Sequence, residues 1–120
     1  MADVLYITDS YGRTKAADSK NEYFLASAFH KLKQQFIYKY TLFGFSAGLR
    51  GGIEVDFVLL PFKIPVELFG EYWHRGQLGA DDRLKLQREM LEFGFETIVF
   101  WGAETDTFEH ALSAARKRIK

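Results

Sequence analysis

The sequence predicts an α/β protein, with a mixed four-stranded sheet flanked by helices in the order α-β-β-β-α-β-α. Two long segments repeat apolar residues with the period of an amphipathic helix. Segments 53–60 and 96–101 are apolar on both alternating faces, as in central strands that are covered on both sides. The second helical segment separates the last two predicted strands, which favours a right-handed crossover between parallel strands.

The first helix is predicted from Ser19 to Gln35. Ser19-Lys20-Asn21-Glu22 fits a capping box, with Glu22 at the third helical position. One apolar face follows at helical spacing, formed by Leu25, Ala28, Phe29 and Leu32. This face predicts that the helix packs on the sheet.

The remaining elements follow from β propensity, turn residues and helical periodicity. The predicted strands are 36–45, Ile53–Leu60, Ile64–Phe69 and Phe95–Trp101, with a turn over Ser46–Gly52 and Pro61 at a strand junction. The predicted helices are Leu78–Phe93, with a buried side of Leu84, Leu86, Met90, Leu91 and Phe93, and Thr107–Ile119. Gly94 suits the C-terminal end of the first of these two helices. Residues 1–18 are predicted to form an N-terminal arm, with a short strand near its start and then a loop, and 19–120 to form one folded domain.

Composition limits the class of protein. The chain has 120 residues, 48% of them hydrophobic, which suits one domain with a single core. It contains no cysteine, which excludes disulfides and thiolate metal sites. No apolar run reaches the roughly 18–20 residues of a membrane span, and no signal peptide is visible. We therefore expect a cytoplasmic protein with no membrane partner.

Charge is balanced in total but uneven along the chain. Lys and Arg number 16, as do Asp and Glu. No acid lies between Glu22 and Glu54, whereas four basic residues do: Lys31, Lys33, Lys39 and Arg50. A local basic patch can bind a polyanion even when net charge is zero. The alternative is solvated surface charge, which we favour for the basic C-terminal tail.

Two acids occur inside apolar strands and require an explanation. If Ile53–Leu60 and Ile64–Phe69 form a hairpin that turns at Pro61-Phe62, Asp56 lies opposite Glu67 on the same face, roughly 5 Å apart at Cβ. Two carboxylates this close require either a proton or a cation between them. Mg²⁺ suits such a site, since it uses one or two carboxylates and keeps water and phosphate as its other ligands. The alternative has one acid at a strand end and the other paired with Lys39 or Arg50.

The segment after Glu67 adds further candidates. Gly70 allows a sharp turn out of the sheet, and His74 follows in the exit loop, where it could transfer a proton near neutral pH. Tyr72 and Trp73 could stack on bases, although core or rim packing is slightly favoured. Asp81 and Asp82 open the next helix, where its dipole favours acids in any case. Glu22 continues the inward stripe of the first helix and could point at the same metal.

These residues resemble a known nuclease family. The runs VDFVLL, VELFGEYWH and DDRLKLQREMLEFGFETIVFW are similar to the very-short-patch-repair-like branch of the PD-(D/E)XK superfamily, which includes the EDxHD homing endonucleases. Asp56-Phe57 matches the first acid, and Glu67 the second. Gly70 and His74 match a G-x-x-H step with one extra residue, and Asp82 with Lys85 resembles D-x-x-R. Glu22 lies where the family's first helix carries its Glu, and the resemblance spans roughly residues 20–104.

The resemblance implies a PD-(D/E)XK nuclease-like core and Mg²⁺-dependent cleavage of DNA, with Mn²⁺ as a substitute. It implies metal ligation by Asp56, Glu67 and Glu22, with His74 as general acid or base and Asp82 supporting it. The candidate DNA contacts are Lys31, Lys33, Lys39, Arg50, Tyr72 and Trp73. A monomer would nick one strand and a homodimer would cut both, in the cytoplasm of a prokaryotic cell or a phage-infected host. Phe69 replaces the superfamily's usual lysine, which keeps open an alternative: an inactive nuclease-fold module that binds nucleic acid or a protein.

Overall fold

The computed structural model describes residues 4–42, 53–70 and 79–119. It contains six strands and three helices within these ranges. The strands are β1 (Tyr6–Thr8), β2 (Thr14–Ala16), β3 (Phe36–Leu42), β4 (Ile53–Leu59), β5 (Ile64–Phe69) and β6 (Ile98–Trp101), and the helices are α1 (Lys20–Lys31), α2 (Ala80–Phe93) and α3 (Phe108–Arg118). A short 3₁₀ helix, Gly102–Glu104, follows β6. No helix in these ranges is long and apolar enough to cross a membrane.

The main sheet has four strands in the order β3-β4-β5-β6. The first three strands pair antiparallel, and β5 pairs parallel with β6 after the chain passes through α2. The predicted mixed four-stranded sheet and its α-β-β-β-α-β-α order are therefore confirmed. The parallel pair arises because a helix, not a turn, connects β5 to β6.

Helix α1 begins as predicted but ends earlier. The Ser19 side chain accepts a hydrogen bond from the Glu22 N–H, the expected N-cap contact. The helix stops at Lys31 instead of Gln35 because Lys33 takes a left-handed backbone conformation, with φ 58°, and turns the chain towards β3. Three residues of the predicted apolar face of α1, Leu25, Ala28 and Phe29, are buried, and the fourth, Leu32, is partly buried.

Two apolar clusters lie on opposite faces of the sheet. The larger joins α1 and α3 to the sheet around four aromatic rings: Phe29, Phe36, Phe57 and Phe100. The smaller contains Ile37, Val55 and Val58, with Tyr40 and Phe93 of α2 packed against them. The sheet is thus covered on both faces, which explains the apolar character of both faces of β4.

The predicted buried side of α2 is wrong for three residues. Leu84, Met90 and Leu91 are 50%, 44% and 80% exposed. The inward face instead carries Lys85 and the fully buried Glu89, because these side chains reach the acid of β5 beneath them. The apolar residues that suggested a buried face therefore lie largely on the outside.

The N-terminal segment forms a hairpin, although only its first strand was predicted. Strand β1 pairs with β2 antiparallel, and Ile7 enters the larger core cluster. Asp9 closes the turn, because its carboxylate accepts hydrogen bonds from the backbone of Tyr11 and Arg13 and from the Arg13 guanidinium. These bonds order a stretch whose sequence alone is typical of a loop.

Candidate functional site

The two strand acids occupy neighbouring positions on β4 and β5. Leu59 pairs with Ile64 and Phe57 with Val66, so the next residues along the strands are Asp56 and Glu67. This register is the one that the sequence analysis assumed. Beyond the last pair, Asp56 Oδ2 accepts a hydrogen bond of 2.9 Å from the backbone N–H of Leu68. The carboxylate therefore takes the place of a backbone acceptor where the ladder ends.

The two carboxylates contact different cations. Asp56 Oδ1 lies 3.2 Å from Lys39 Nζ, which is one of the alternatives that the sequence left open. Glu67 lies 3.1 and 3.0 Å, at its two carboxylate oxygens, from Lys85 Nζ of α2. The expected arrangement, in which both acids share one cation on one face, is therefore not the one observed.

The Lys39 ammonium contacts carboxylates from three parts of the chain. Its Nζ lies 2.8 Å from Asp18, 3.2 Å from Glu22 and 3.2 Å from Asp56. The Lys39 side chain is only 9% exposed. Burial alone would lower the pKa of Lys39, but the surrounding carboxylates raise it well above its ordinary value. The ammonium group is therefore charged at any physiological pH.

Glu22 is fixed on both of its oxygens. The Tyr38 hydroxyl donates a short hydrogen bond to Oε1, and Lys39 contacts the same carboxylate. Burial and the negative charge of Asp56 raise the pKa of Glu22, while Tyr38 and Lys39 act in the opposite direction. Tyr38 itself comes from β3, so the strand and the helix together position this acid.

Glu67 belongs to a buried carboxyl pair that the sequence analysis missed. Its partner is Glu89 of α2, which is fully buried and accepts a 3.0 Å hydrogen bond from Thr97 Oγ1. Glu67 Oε2 contacts Lys85 as an ion pair without hydrogen-bond geometry, and Glu89 Oε2 likewise accepts no hydrogen bond from the described residues. Burial, Glu89 and Asp56 raise the pKa of Glu67 to about 11. The pair therefore holds a proton at neutral pH, which is one of the two resolutions that the sequence analysis allowed.

Carboxyl groups are in excess in this network of described residues. Asp18, Glu22, Asp56, Glu67 and Glu89 face two ammonium groups, those of Lys39 and Lys85. The charge that remains on the buried pair lies opposite Lys85, whereas three carboxylates, those of Asp18, Glu22 and Asp56, lie within 3.2 Å of the single Lys39 ammonium. The excess of carboxyl groups is therefore around Lys39.

A cleft of about 600 Å³ opens beside this network. It is bounded by the first turn of α1 and by the carboxyl ends of β5 and β6, and it is lined by Asp18, Ser19, Asn21, Glu22, Leu68, Phe69, Gly70, Gly102 and Asp106. Ligand sites in α/β proteins commonly lie at the carboxyl ends of parallel strands. Glu22 was predicted as a site residue from the sequence, whereas Asp18 and Asp106 were not, because they precede helices and carry no strand pattern to single them out.

The other predicted site residues are not gathered at the cleft. Lys31 and Lys33 are exposed at the C-terminal end of α1, nine or more residues along the chain from the acids at its start. Asp82 lies in the first turn of α2, three positions before Lys85 and on the same side of the helix. Arg50, Tyr72, Trp73 and His74 lie outside the described residues, and of Asp81 only the backbone is described.

The carboxylate oxygens of this site suit a hard divalent cation, but the Lys39 ammonium occupies the position that such a cation would take. Carboxylate oxygens are the ligands that Mg²⁺ prefers, and three carboxylates converge on one point. That point holds the Lys39 ammonium, and in the described ranges no three His, Asp or Glu side chains are arranged to hold a metal ion. A metal ion here would have to share Glu22 and Asp56 with Lys39.

Comparison with known proteins identifies no relative. No family model matches the sequence, and neither the curated proteins nor the solved structures include a significant match.

Proposed function

We propose that this protein is a metal-dependent endonuclease that hydrolyses phosphodiester bonds in DNA, with Mg²⁺ as the cofactor and Mn²⁺ as a substitute. The observation that carries the proposal is the excess of carboxyl groups beside an open cleft, at the end of a mixed sheet with the element order of the nuclease core. Such an excess attracts a cation, and a carboxylate-bound divalent cation suits phosphate chemistry.

Glu22 and Asp56 are the proposed metal ligands. The Tyr38 hydroxyl holds Glu22, and the Leu68 N–H holds Asp56, so both carboxylates are preorganised. A bound divalent cation would polarise the scissile phosphate and offset the charge that develops on its oxygens. Glu67 is also a proposed ligand, but its shared proton and its contact with Lys85 must first be exchanged for the metal ion.

The remaining roles come from the family resemblance. His74 is the proposed general acid or base, with Asp82 in support. The proposed DNA contacts are Lys31, Lys33, Arg50, Tyr72 and Trp73. Lys39, which the sequence also suggested, is not among them, because its side chain is only 9% exposed and its ammonium contacts three carboxylates. Lys31 and Lys33 would contact phosphates away from the cut site, because α1 is about 18 Å long and the acids lie at its other end. A monomer would nick one strand, and a homodimer would cut both.

A plasmid assay tests the proposal. Supercoiled DNA is incubated with the protein and Mg²⁺ or Mn²⁺, and nicked product is measured over time. Asp56→Asn and Glu22→Gln should each lower the nicking rate by about 100-fold or more, because each removes a charged ligand. Glu92→Gln, on the exposed side of α2, should nick like the unsubstituted protein. Equal nicking by all four proteins would place the activity elsewhere or in a contaminant.

A second candidate function is a nuclease-fold module that binds without catalysis. The pairing of each strand acid with its own lysine favours it, because a site that is already neutralised by lysine does not require a metal. This module would bind DNA or a protein without nicking, and Asp56→Asn would leave that binding unchanged.

A further inference from the structure

Lys39 occupies the point where a shared cation would be expected. Its Nζ lies within 3.2 Å of carboxylate oxygens of Asp18, Glu22 and Asp56, and 3.9 Å from Glu54. These residues come from the loop before α1, from α1 itself and from β4. The ammonium thus joins acids from three separate parts of the chain.

The backbone of β3 is distorted to bring Lys39 there. Lys39 has φ 59° inside the strand, a conformation that non-glycine residues rarely adopt. Ile37 and Tyr40, three positions apart, pack in the cluster that includes Phe93 of α2, whereas Tyr38 packs in the cluster of α1 and α3. Regular alternation is therefore broken at Lys39, whose side chain reaches the α1 side of the sheet. Strain of this kind persists where the surroundings enforce it, and it is typical of functional sites.

We propose that Lys39 is a built-in counter-ion that competes with a divalent cation for Glu22 and Asp56 and so sets the affinity of the site for metal. An ammonium and a divalent cation cannot share a point a few ångströms across, because their charges repel at that distance. Binding of the metal therefore requires Lys39 to move away from Asp56. The inference rests on the proposed metal site, but not on DNA cleavage.

A purely structural salt bridge makes a different prediction. If Lys39 only stabilises the fold, its removal lowers stability equally with or without metal. If Lys39 is a competitor, its removal leaves three carboxylates without a cation, and added metal replaces the lost charge. An increase in metal affinity cannot arise from damage to the fold.

The test is the substitution Lys39→Asn, because Asn tolerates the left-handed backbone better than most residues. Melting temperatures are measured in EDTA and then across a Mn²⁺ titration. We expect K39N to melt below the unsubstituted protein in EDTA, and to reach its half-maximal Mn²⁺ response at a concentration at least about tenfold lower, a change of about 1.4 kcal/mol in binding. The double variant Lys39→Asn/Asp56→Asn should lose this response.

Lys63→Asn is the matched control. Lys63 is exposed in the turn between β4 and β5 and has φ 63°, so the substitution relieves the same backbone strain away from the acids. K63N should respond to Mn²⁺ as the unsubstituted protein does. The inference is overturned if K39N reaches its half-maximal change in melting temperature at the same Mn²⁺ concentration as the unsubstituted protein. It is also overturned if the increased Mn²⁺ response persists in the double variant.

Two further outcomes are also decisive. If K39N is unfolded in EDTA, Mn²⁺ should restore its fold, and failure to do so overturns the inference. If the unsubstituted protein does not nick DNA but K39N gains Mn²⁺ affinity through Asp56, the proposed function falls and the role of Lys39 stands.

Discussion

At the residue scale, Glu67 shows how a buried acid is accommodated without a metal. It is 1% exposed, and its partner Glu89 is 0% exposed. The carboxyl pair keeps a proton because burial and mutual repulsion both oppose a second negative charge. Lys85 then balances the charge that remains. An acid in an apolar strand is therefore not by itself evidence for a ligand.

Glu67→Gln should raise the stability of the protein at alkaline pH. The folded-state pKa of about 11 lies above the ordinary value of 4.5, so Glu67 ionises in the unfolded chain first and stability is lost as pH rises through this range. Gln cannot ionise, so we expect E67Q to gain about 1–3 kcal/mol at pH 8 and little at pH 5.

Urea unfolding in EDTA at both pH values measures this difference. Glu92→Gln on the exposed side of α2 is the control and should leave the pH dependence unchanged. An E67Q protein that is destabilised equally at both pH values would contradict the buried-proton interpretation.

Asp9→Ala should destabilise the protein by about 2–4 kcal/mol, because it leaves the buried N–H of Tyr38 without an acceptor and removes the ion-pair partner of Arg13. Although burial acts to raise the pKa of Asp9, hydrogen bonds from Arg13 and Tyr38 lower it overall. The Asp9 carboxylate therefore contributes to the stability of the folded protein above its ordinary pKa of 3.8, and this contribution is lost as the pH falls further. Chemical denaturation at pH 7 tests the substitution, and a D9A protein as stable as the unsubstituted one would show that the turn does not depend on this carboxylate.

At the element scale, α2 shows where periodicity misleads. Its apolar residues suggested a buried face, yet Lys85 and Glu89 face the sheet and Leu91 faces solvent. The inward face is polar because the strand below it presents Glu67. Sequence periodicity gives the presence of the helix, but the side that packs depends on the neighbouring strand.

Leu91 and Phe93, two residues apart on α2, should respond in opposite ways. Phe93→Ala should cost about 2–4 kcal/mol, because its ring packs against Tyr40 and the smaller cluster. Leu91→Ala should change stability by less than about 0.5 kcal/mol, since Leu91 is 80% exposed. Thermal or urea unfolding of the two variants, compared with the unsubstituted protein, decides the orientation of α2. A larger loss of stability for L91A than for F93A would contradict the observed orientation of α2.

At the scale of the whole molecule, most of the fold could be predicted from sequence, but the contacts of the site could not. The strands, the hairpin register around Pro61 and the crossover through α2 follow from local patterns and turn residues. The pairing of Asp56 with Lys39 was one alternative that the sequence left open, but the backbone distortion inside β3 that brings the two together is not revealed by composition or spacing. Glu89 was missed because its partner is distant in sequence.

The fold should depend most on the aromatic cluster between the sheet and α1. Phe29 contacts Phe36, Phe57 and Phe100 with ring centroids 5.3–6.4 Å apart. Phe29→Ala should therefore cost about 3–5 kcal/mol. Thermal unfolding measures the loss of stability as a lower melting temperature or the absence of a cooperative transition. Phe62→Ala, in an exposed turn, is the control. Comparable melting temperatures for the two variants would contradict this account of the core.

The N-terminal hairpin also protects an edge of the sheet. Strand β3 is an edge strand of the four-stranded sheet, and the hairpin binds backbone groups of two of its residues: Ser10 exchanges two hydrogen bonds with Phe36, and Asp9 and Arg13 bind the N–H and C=O of Tyr38. An uncovered strand edge is a template for pairing with other chains. Removal of residues 1–17 should therefore produce a protein that self-associates through β3, so the segment that resembled a loose arm guards the protein against aggregation.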